Sequence, residues 1–329
     1  MGIVWVMAEK IMQILVSGSL AYDRIMDFPG CFSDHILPDK IHSLSVSFVA
    51  DTLSENYGGC AGNIAYSLAA LGEKPVVLAA AGRDFGEYRE HLERCGVDLQ
   101  FVTVVPDKVT MTVTVMTDKK HNQIASVYLG TMADPSSFNP EDTSNDFLKN
   151  AFAIIAPGNL EDMRRLPGVY REKGIEFMYD PGQAIPTLST EELKDGIRGS
   201  RVCITNDYEL ALICEKTGWK EEDILKETEM LVTTLGEKGS RILTREGVIE
   251  IPSAKVERIL DPTGAGDAYR AGFIKGLIAG WPVETVGRFA GTVAAYAIEH
   301  YGTQKHVFTY PQVKARYEKE FGERLPEVA

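Results

Sequence analysis

Apolar residues in this chain fall into short runs, set apart by stretches with helical spacing. Ile14-Leu15-Val16 leads into Ser17-Gly18, the pattern of a buried strand closing on small residues. Over 59–71, Ile64, Ala65, Leu68 and Leu71 recur at helical spacing and Gly72 stops the run, which predicts a helix. A strand is expected over 75–80, and others over 152–156, 176–179, 202–205, 230–234 and 240–244. Helical patches lie between several of them, such as 207–217, and 283–300 holds a further apolar helix. Alternation of this kind over roughly 200 residues predicts an α/β fold, a mainly parallel sheet sandwiched by helices.

Two segments break the alternation. Residues 24–56 contain Pro29, Gly30, Pro38 and the alternating Leu44-Ser45-Val46-Ser47-Phe48, which imply short strands and turns. Within 101–129, Thr110 to Val115 alternates, Asp118-Lys119-Lys120 turns, and Ile124 to Tyr128 runs back, a hairpin pattern. The two segments are expected to form a small β-sheet outside the α/β core, and the core to comprise 13–23, 57–100 and 130–329. Residues 1–12 begin with an apolar run too short to span a membrane, without a basic region or a small-residue cleavage site. With Met7 and Met12 as alternative starts, they read as an N-terminal extension.

Composition narrows the function classes. Of 329 residues, 44% are hydrophobic and 25% charged, ordinary values for a folded domain with a large core. The net charge of −13 and the lack of any Lys/Arg stripe argue against a nucleic-acid partner. Five scattered cysteines (Cys31, Cys60, Cys95, Cys203, Cys214) form no C-x-x-C pair and suggest a reducing compartment. A cytoplasmic protein without a membrane partner is the expectation.

Chemistry concentrates in Asp261-Pro262-Thr263-Gly264-Ala265-Gly266-Asp267, which follows an apolar, strand-like run and opens an apolar helical run over 268–279. A helix start aims unbonded backbone N–H groups and the positive end of the helix dipole at one spot, an arrangement that holds an anion. Asp267 stands at the mouth of that site, where its charge opposes anion binding. The placement makes sense if the carboxylate takes a proton from a hydroxyl while the amides hold charge on a transferring phosphoryl group. A structural acid in the first helical turn would look the same.

Other segments carry similar pairs of readings. Gly58-Gly59-Cys60-Ala61-Gly62-Asn63 enters the first long helix, and Asn63 offers a donor and an acceptor to a hydroxyl-rich ligand. Asp23 lies just past the first strand, on the side where open α/β sheets bind ligands. Asn206 and Glu209 form a capping-box pair that can also organise water around Mg²⁺. Thr234-Leu235-Gly236-Glu237-Lys238-Gly239 links two expected strands and can offer a hydroxyl and amides to phosphates. No Walker A motif occurs, Tyr269 spoils a dinucleotide fingerprint at 264–269, the six histidines lack metal spacing, and no Gly-x-Ser-x-Gly elbow is present.

In this order the segments resemble the ribokinase-like family, also called the PfkB carbohydrate kinases. Gly58 to Asn63 is similar to its N-terminal signature, and Asp261 to Asp267 with Ala271-Gly272 to its C-terminal one. Asn206-x-x-Glu209 and Thr234-x-Gly236-x-x-Gly239 are similar to its phosphate–magnesium and nucleotide-loop motifs, and the likeness runs from about Gln13 to about Pro311. The resemblance implies a kinase using ATP and Mg²⁺, with Asp267 as base and Gly264, Ala265 and Gly266 as anion hole. Asp23, Gly58, Gly59 and Asn63 would hold the acceptor. Asn206, Thr234, Gly236 and Gly239 would contact the nucleotide, and Asn206 and Glu209 would reach the metal through water. The small sheet would be a lid and, as in many relatives, a homodimer contact. His306 falls where relatives often carry a small hydroxyl residue beside a monovalent-cation loop near Asp261, Thr263 and Gly302, which argues against potassium activation.

Ser19 to Asp23, His35 to Pro38 and Asp267 to Gly272 look like bacterial adenosine kinases and nucleoside kinases of this fold. The expected acceptor is therefore the 5′-hydroxyl of a nucleoside, adenosine first. Phe28, Phe48 and Tyr128 can stack on a purine or fill the lid's own core. A free sugar such as ribose or fructose is the alternative acceptor. A ligand-binding regulator without turnover is the third reading, and the intact Asp267 counts against it.

Overall fold

Strand β1 (Gln13–Ser17) sets the plan of the molecule, seen in a computed structural model that describes residues 12–120 and 122–327. Ile14 and Val16 enter one apolar cluster and Leu15 another, as a strand covered on both faces requires. After it come β2 (Ala21–Asp27), β3 (Thr52–Gly58), α1 (Cys60–Ala70), β4 (Pro75–Gly82), α2 (Gly86–Arg94) and β5 (Asp98–Val105). Then follow β6 (Met111–Thr117), β7 (Gln123–Tyr128), α3 (Asn145–Leu148), β8 (Ala151–Ile155), α4 (Leu160–Lys173), β9 (Glu176–Tyr179) and α5 (Thr190–Ile197). The rest is β10 (Val202–Asn206), α6 (Asp207–Thr217), α7 (Glu221–Glu227), β11 (Met230–Thr234), β12 (Ser240–Thr244), β13 (Gly247–Ile251), α8 (Ala265–Ile278), α9 (Val283–Ile298) and α10 (Tyr310–Phe321).

Nine strands make one sheet in the order β13-β12-β11-β10-β9-β8-β1-β4-β5. Its pairs are parallel except β11–β12 and β12–β13, which close one edge antiparallel. Ile64 and Leu68 of α1, Phe273 of α8 and Phe289 of α9 cover one face. Leu166 of α4, Leu193 of α5 and Ile213 of α6 cover the other. The fold is thus the α/β sandwich expected, a mainly parallel sheet covered by helices on both faces. Strand order reverses at β1, whose neighbours are β4 and β8, and the carboxyl ends of strands at such a switch point leave a crevice.

A second sheet, β3-β2-β6-β7, stands apart, with β6 and β7 as the expected antiparallel hairpin. Its boundaries differ from the expected 24–56 and 101–129. Ala21 to Asp23 already belong to it and pair with Gly58 to Asn56, because the chain runs from β1 through Ser19 directly into β2. Residues up to Val105 belong instead to the large sheet, where β5 pairs with β4 and buries Leu99 and Val102 in the core. The alternating 44–48 run is irregular, not a strand; Phe48 turns inward against Phe28 and Phe32, so ring packing replaces a strand partner. The apolar stretch ahead of Asp261 is likewise not a strand: Leu260 and Asp261 donate their N–H groups to the Ile298 carbonyl at the end of α9. All but Met12 of the expected N-terminal extension lies outside the described residues. Among the described residues no helix is long and apolar enough to cross a membrane.

Candidate active site

The switch-point crevice is built by loops that touch. Ser19 donates its N–H to the Pro157 carbonyl beyond β8, and Ala61 at the start of α1 donates to the Ser19 carbonyl. Gly59 caps α1 with φ 87°, and a Cβ there would stand 2.5 Å from the Ser19 carbonyl oxygen, so the turn admits only glycine. Gly58, the last residue of β3, leaves the room in which the Asp23 carboxylate sits; a Cβ at 58 would lie 2.3 Å from Asp23 Oδ2.

Helix α8 enters the same crevice. Gly264 is its N-cap with φ 78°, and no side chain caps it. Of the three amides expected to face an anion, that of Ala265 donates to the Pro262 carbonyl at 3.1 Å. The N–H groups of Gly264, Gly266 and Asp267 have no protein partner among the described residues, so the helix start keeps a cluster of aimed donors. The segment ahead is held by Asp261, whose carboxylate accepts the N–H groups of Thr263 and Gly302.

Asp267 lies in the first turn of α8, half-buried, and accepts Asn63 Nδ2–H at 2.8 Å. Burial pushes its carboxyl up to about 6; the Asn63 amide and Arg270 oppose the rise, and Asp180 and Asp23 add to it. Asp23, within β2 rather than in the loop after β1, is also pushed up to about 6, chiefly by burial, with Thr303 opposing and Asp261 adding. Two carboxyl groups poised near neutrality thus face one crevice. Either can take a proton from a bound hydroxyl at physiological pH.

The remaining expected residues line the same edge of the sheet. Asn206 and Glu209 form a reciprocal capping box at the start of α6, each side-chain oxygen accepting the other's N–H at 2.8 Å. Burial raises the Glu209 carboxyl, with Asp180 adding and Arg270 opposing. Thr234 closes β11 beside Asn206 of β10, and its hydroxyl donates to the Thr205 carbonyl. The turn carrying Gly236 and Gly239 delivers Ser240, whose hydroxyl meets the Tyr269 hydroxyl on α8 at 2.7 Å. Among the described residues no group of three or more His, Cys, Asp or Glu side chains can hold a metal. Asn206 and Glu209 fit Mg²⁺ as outer partners of its water shell, which suits an ion carried mainly by phosphate oxygens. His306 is buried against Ser67, Tyr66 and Phe308, and burial lowers its imidazole to about 4.

Sequence reasoning missed Asp180, Arg270, Gln304 and Tyr88. Asp180 and Arg270 form a buried ion pair; Arg270 also donates to the Gly266 carbonyl at 3.1 Å, so the pair braces the first turn of α8. Two features pointed to it: Asp180 directly follows a strand, and Arg270 lies three residues beyond Asp267 on the same helix face. Gln304 joins Asn63 to Tyr88. Phe28 and Phe48 pack with Phe32 and His35 in the loop between β2 and β3, while Tyr128 stays exposed on β7.

A model of the pfkB family carbohydrate kinases matches residues 21–309. A nucleoside kinase of Methanothermobacter thermautotrophicus is 32% identical over 320 residues, 95% of this chain and 98% of its own length. Two solved structures of a Burkholderia thailandensis nucleoside kinase superpose closely. The complex with inosine has TM-score 0.83 at 35% identity, covering 94% of this chain and 99% of that one. The complex with ADP-inosine has TM-score 0.81 at 36% identity, covering 96% and 98%.

Proposed function

This chain belongs to the pfkB family of carbohydrate kinases, and we propose that it transfers the γ-phosphoryl group of ATP to the 5′-hydroxyl of a nucleoside, adenosine first. The observation that carries the proposal is the Asp267 carboxyl, raised to about 6 and set among the unbonded amides that open α8. The names of the relatives support a nucleoside acceptor over a free sugar, as does the inosine in the Burkholderia structure. Adenosine rests on the runs 19–23, 35–38 and 267–272.

In this reading Asp23, Gly58, Gly59 and Asn63 seat the ribose. Asp267 takes the proton of the 5′-hydroxyl as the oxygen attacks phosphorus. The bond from the γ-phosphorus to the bridging oxygen breaks, and ADP leaves with that electron pair. The amides of Gly264 and Gly266 and the positive end of α8 hold the charge on the moving phosphoryl group. Asn206, Thr234, Gly236 and Gly239 line the ATP side. Asn206 and Glu209 would hold the water shell of Mg²⁺, an ion that neutralises phosphate charge when bound. The small sheet, hinged at Asp23 and Gly58, closes over the acceptor and excludes water.

The test is turnover with ATP and Mg²⁺ on adenosine, inosine, cytidine, ribose and fructose. Nucleosides are expected to turn over, adenosine fastest, and sugars to fail. Turnover of ribose or fructose alone would replace the proposal with a sugar kinase, and tight binding without turnover would replace it with a regulator. Asp267→Asn is expected to lower kcat at least ~10²-fold, the low end for a positioned acid–base group. A near-normal rate would put the base elsewhere.

A further inference from the structure

Among the described residues Gln304 is the one non-glycine with positive φ, 56°, and it is only 4% exposed. Its Nε2 donates to the Tyr88 hydroxyl oxygen at 2.6 Å and to Asn63 Oδ1 at 3.0 Å. Tyr88 in turn donates its hydroxyl proton to the Gly58 carbonyl at 2.8 Å. Gly62 makes the space; a Cβ there would stand 1.9 Å from the Tyr88 hydroxyl oxygen.

This chain of bonds has one direction. A backbone carbonyl can only accept, so Tyr88 must give its proton to Gly58. The Tyr88 oxygen therefore accepts from its other neighbour, and Gln304 must present nitrogen to it. The same nitrogen meets Asn63 Oδ1, so Asn63 must turn its own nitrogen to Asp267 Oδ2, 2.8 Å away. The reversed Asn63 amide would set oxygen against the carboxylate, an arrangement tolerated only when Asp267 holds a proton. Gln304 Oε1 meanwhile has no partner though buried, so the side chain is not arranged to satisfy itself.

We infer that Gln304 is a positioning residue: through Asn63 it fixes a donor on Asp267 and so keeps that carboxylate ionised and aimed. The inference rests on the reading of Asp267 as the base. Charged and titratable groups facing Asp267 are Arg270 on α8, Asp180 beyond β9, Asp23 on β2, Cys60 on α1 and Tyr88 on α2, and His91 on α2 faces Gln304 itself. All of them keep their identity in a variant at 304.

Gln304→Gly keeps the left-handed backbone and removes the amide. Gln304→Glu keeps the shape and, when ionised, can only accept, which inverts the chain. Tyr88→Phe removes the anchoring proton donor and leaves Gln304 free to turn. The experiment is kcat against pH with adenosine, with thermal melting to show that each variant folds. The acidic limb is expected to move up by about one pH unit in both Gln304 variants and by less in Tyr88→Phe. The rate near pH 6.5 should then fall about threefold and recover most of that loss near pH 8.5. Folded variants with a uniformly lower rate and an unmoved limb would overturn the inference and leave Gln304 merely structural. Asp267→Asn in the same assay separates the two ideas: full activity defeats the base reading. Lost activity beside an unmoved limb in the Gln304 variants defeats this inference alone.

Discussion

The carboxyl groups of Asp23 and Asp267 are raised by the same cause, burial, and Asp23 adds to the rise of Asp267. Below pH 6 both gain protons in the free enzyme, so kcat/KM should fall with decreasing pH more steeply than one proton allows. Asp23→Asn removes a negative neighbour, so the remaining limb should move to lower pH and take the slope of a single proton. A limb that stays put in that variant would show that Asp23 does not act on Asp267. Stability runs the other way. A carboxyl with a folded pKa above its unfolded value favours the fold below the unfolded value, near 4, and loses that contribution as pH rises through 6. Asp267→Asn should therefore melt higher than wild type at pH 7.5, by roughly 1–2 kcal/mol after discounting for partial exposure, with the gap closing toward pH 5. The site is arranged for reactivity at the expense of stability, and paired melting curves at the two pH values check it.

Among the elements, α8 is the most constrained, because in the proposed function one end faces a phosphate and the rest must pack closely. Gly272 lies against α9, where a Cβ would stand 2.8 Å from Ala290 Cα. Gly272→Ala forces backbone apart and is expected to cost roughly 1–3 kcal/mol, read as a lower denaturation midpoint with an unchanged slope. Arg270→Leu leaves Asp180, 2% exposed, without its partner and should cost about 3–5 kcal/mol. These elements also mark what the sequence made legible. β9 and α6 match their expected spans because a strand buried on both faces and a capped helix write their limits locally. The 44–48 run alternates like a strand, but a strand needs partners that only the fold supplies. Asp267 and Asn63 were legible because each stands in a local motif. Asp180 and Gln304 were not, since their roles arise where loops distant in sequence meet; a positive φ at glutamine leaves no mark in composition or periodicity.

At the scale of the whole molecule, the small sheet is the part that the core does least to stabilise. The chain crosses between it and the large sheet at Ser19, at Gly59, between β5 and β6, and after β7, and its outer strand β7 is exposed along its whole length. Ile124, Val127 and Tyr128 are at least 44% exposed there, beside the unpaired backbone groups of a sheet edge. Leu53, on the opposite edge strand β3, is 65% exposed. Edges of this kind are normally blunted by charge, and β7 carries none within Gln123–Tyr128. Pairing with a second copy would cover the edge and, with the small sheet closing over the acceptor as proposed, would tie the two closing motions together. The expected outcome is a concentration-dependent dimer in sedimentation velocity. Ile124→Lys combined with Val127→Lys should shift it toward monomer and, under the proposed closure of the small sheet over the acceptor, raise KM for the nucleoside. A wild-type chain that sediments as a monomer at tens of micromolar would exclude the pairing. If the double variant instead stays dimeric, the contact lies away from β7.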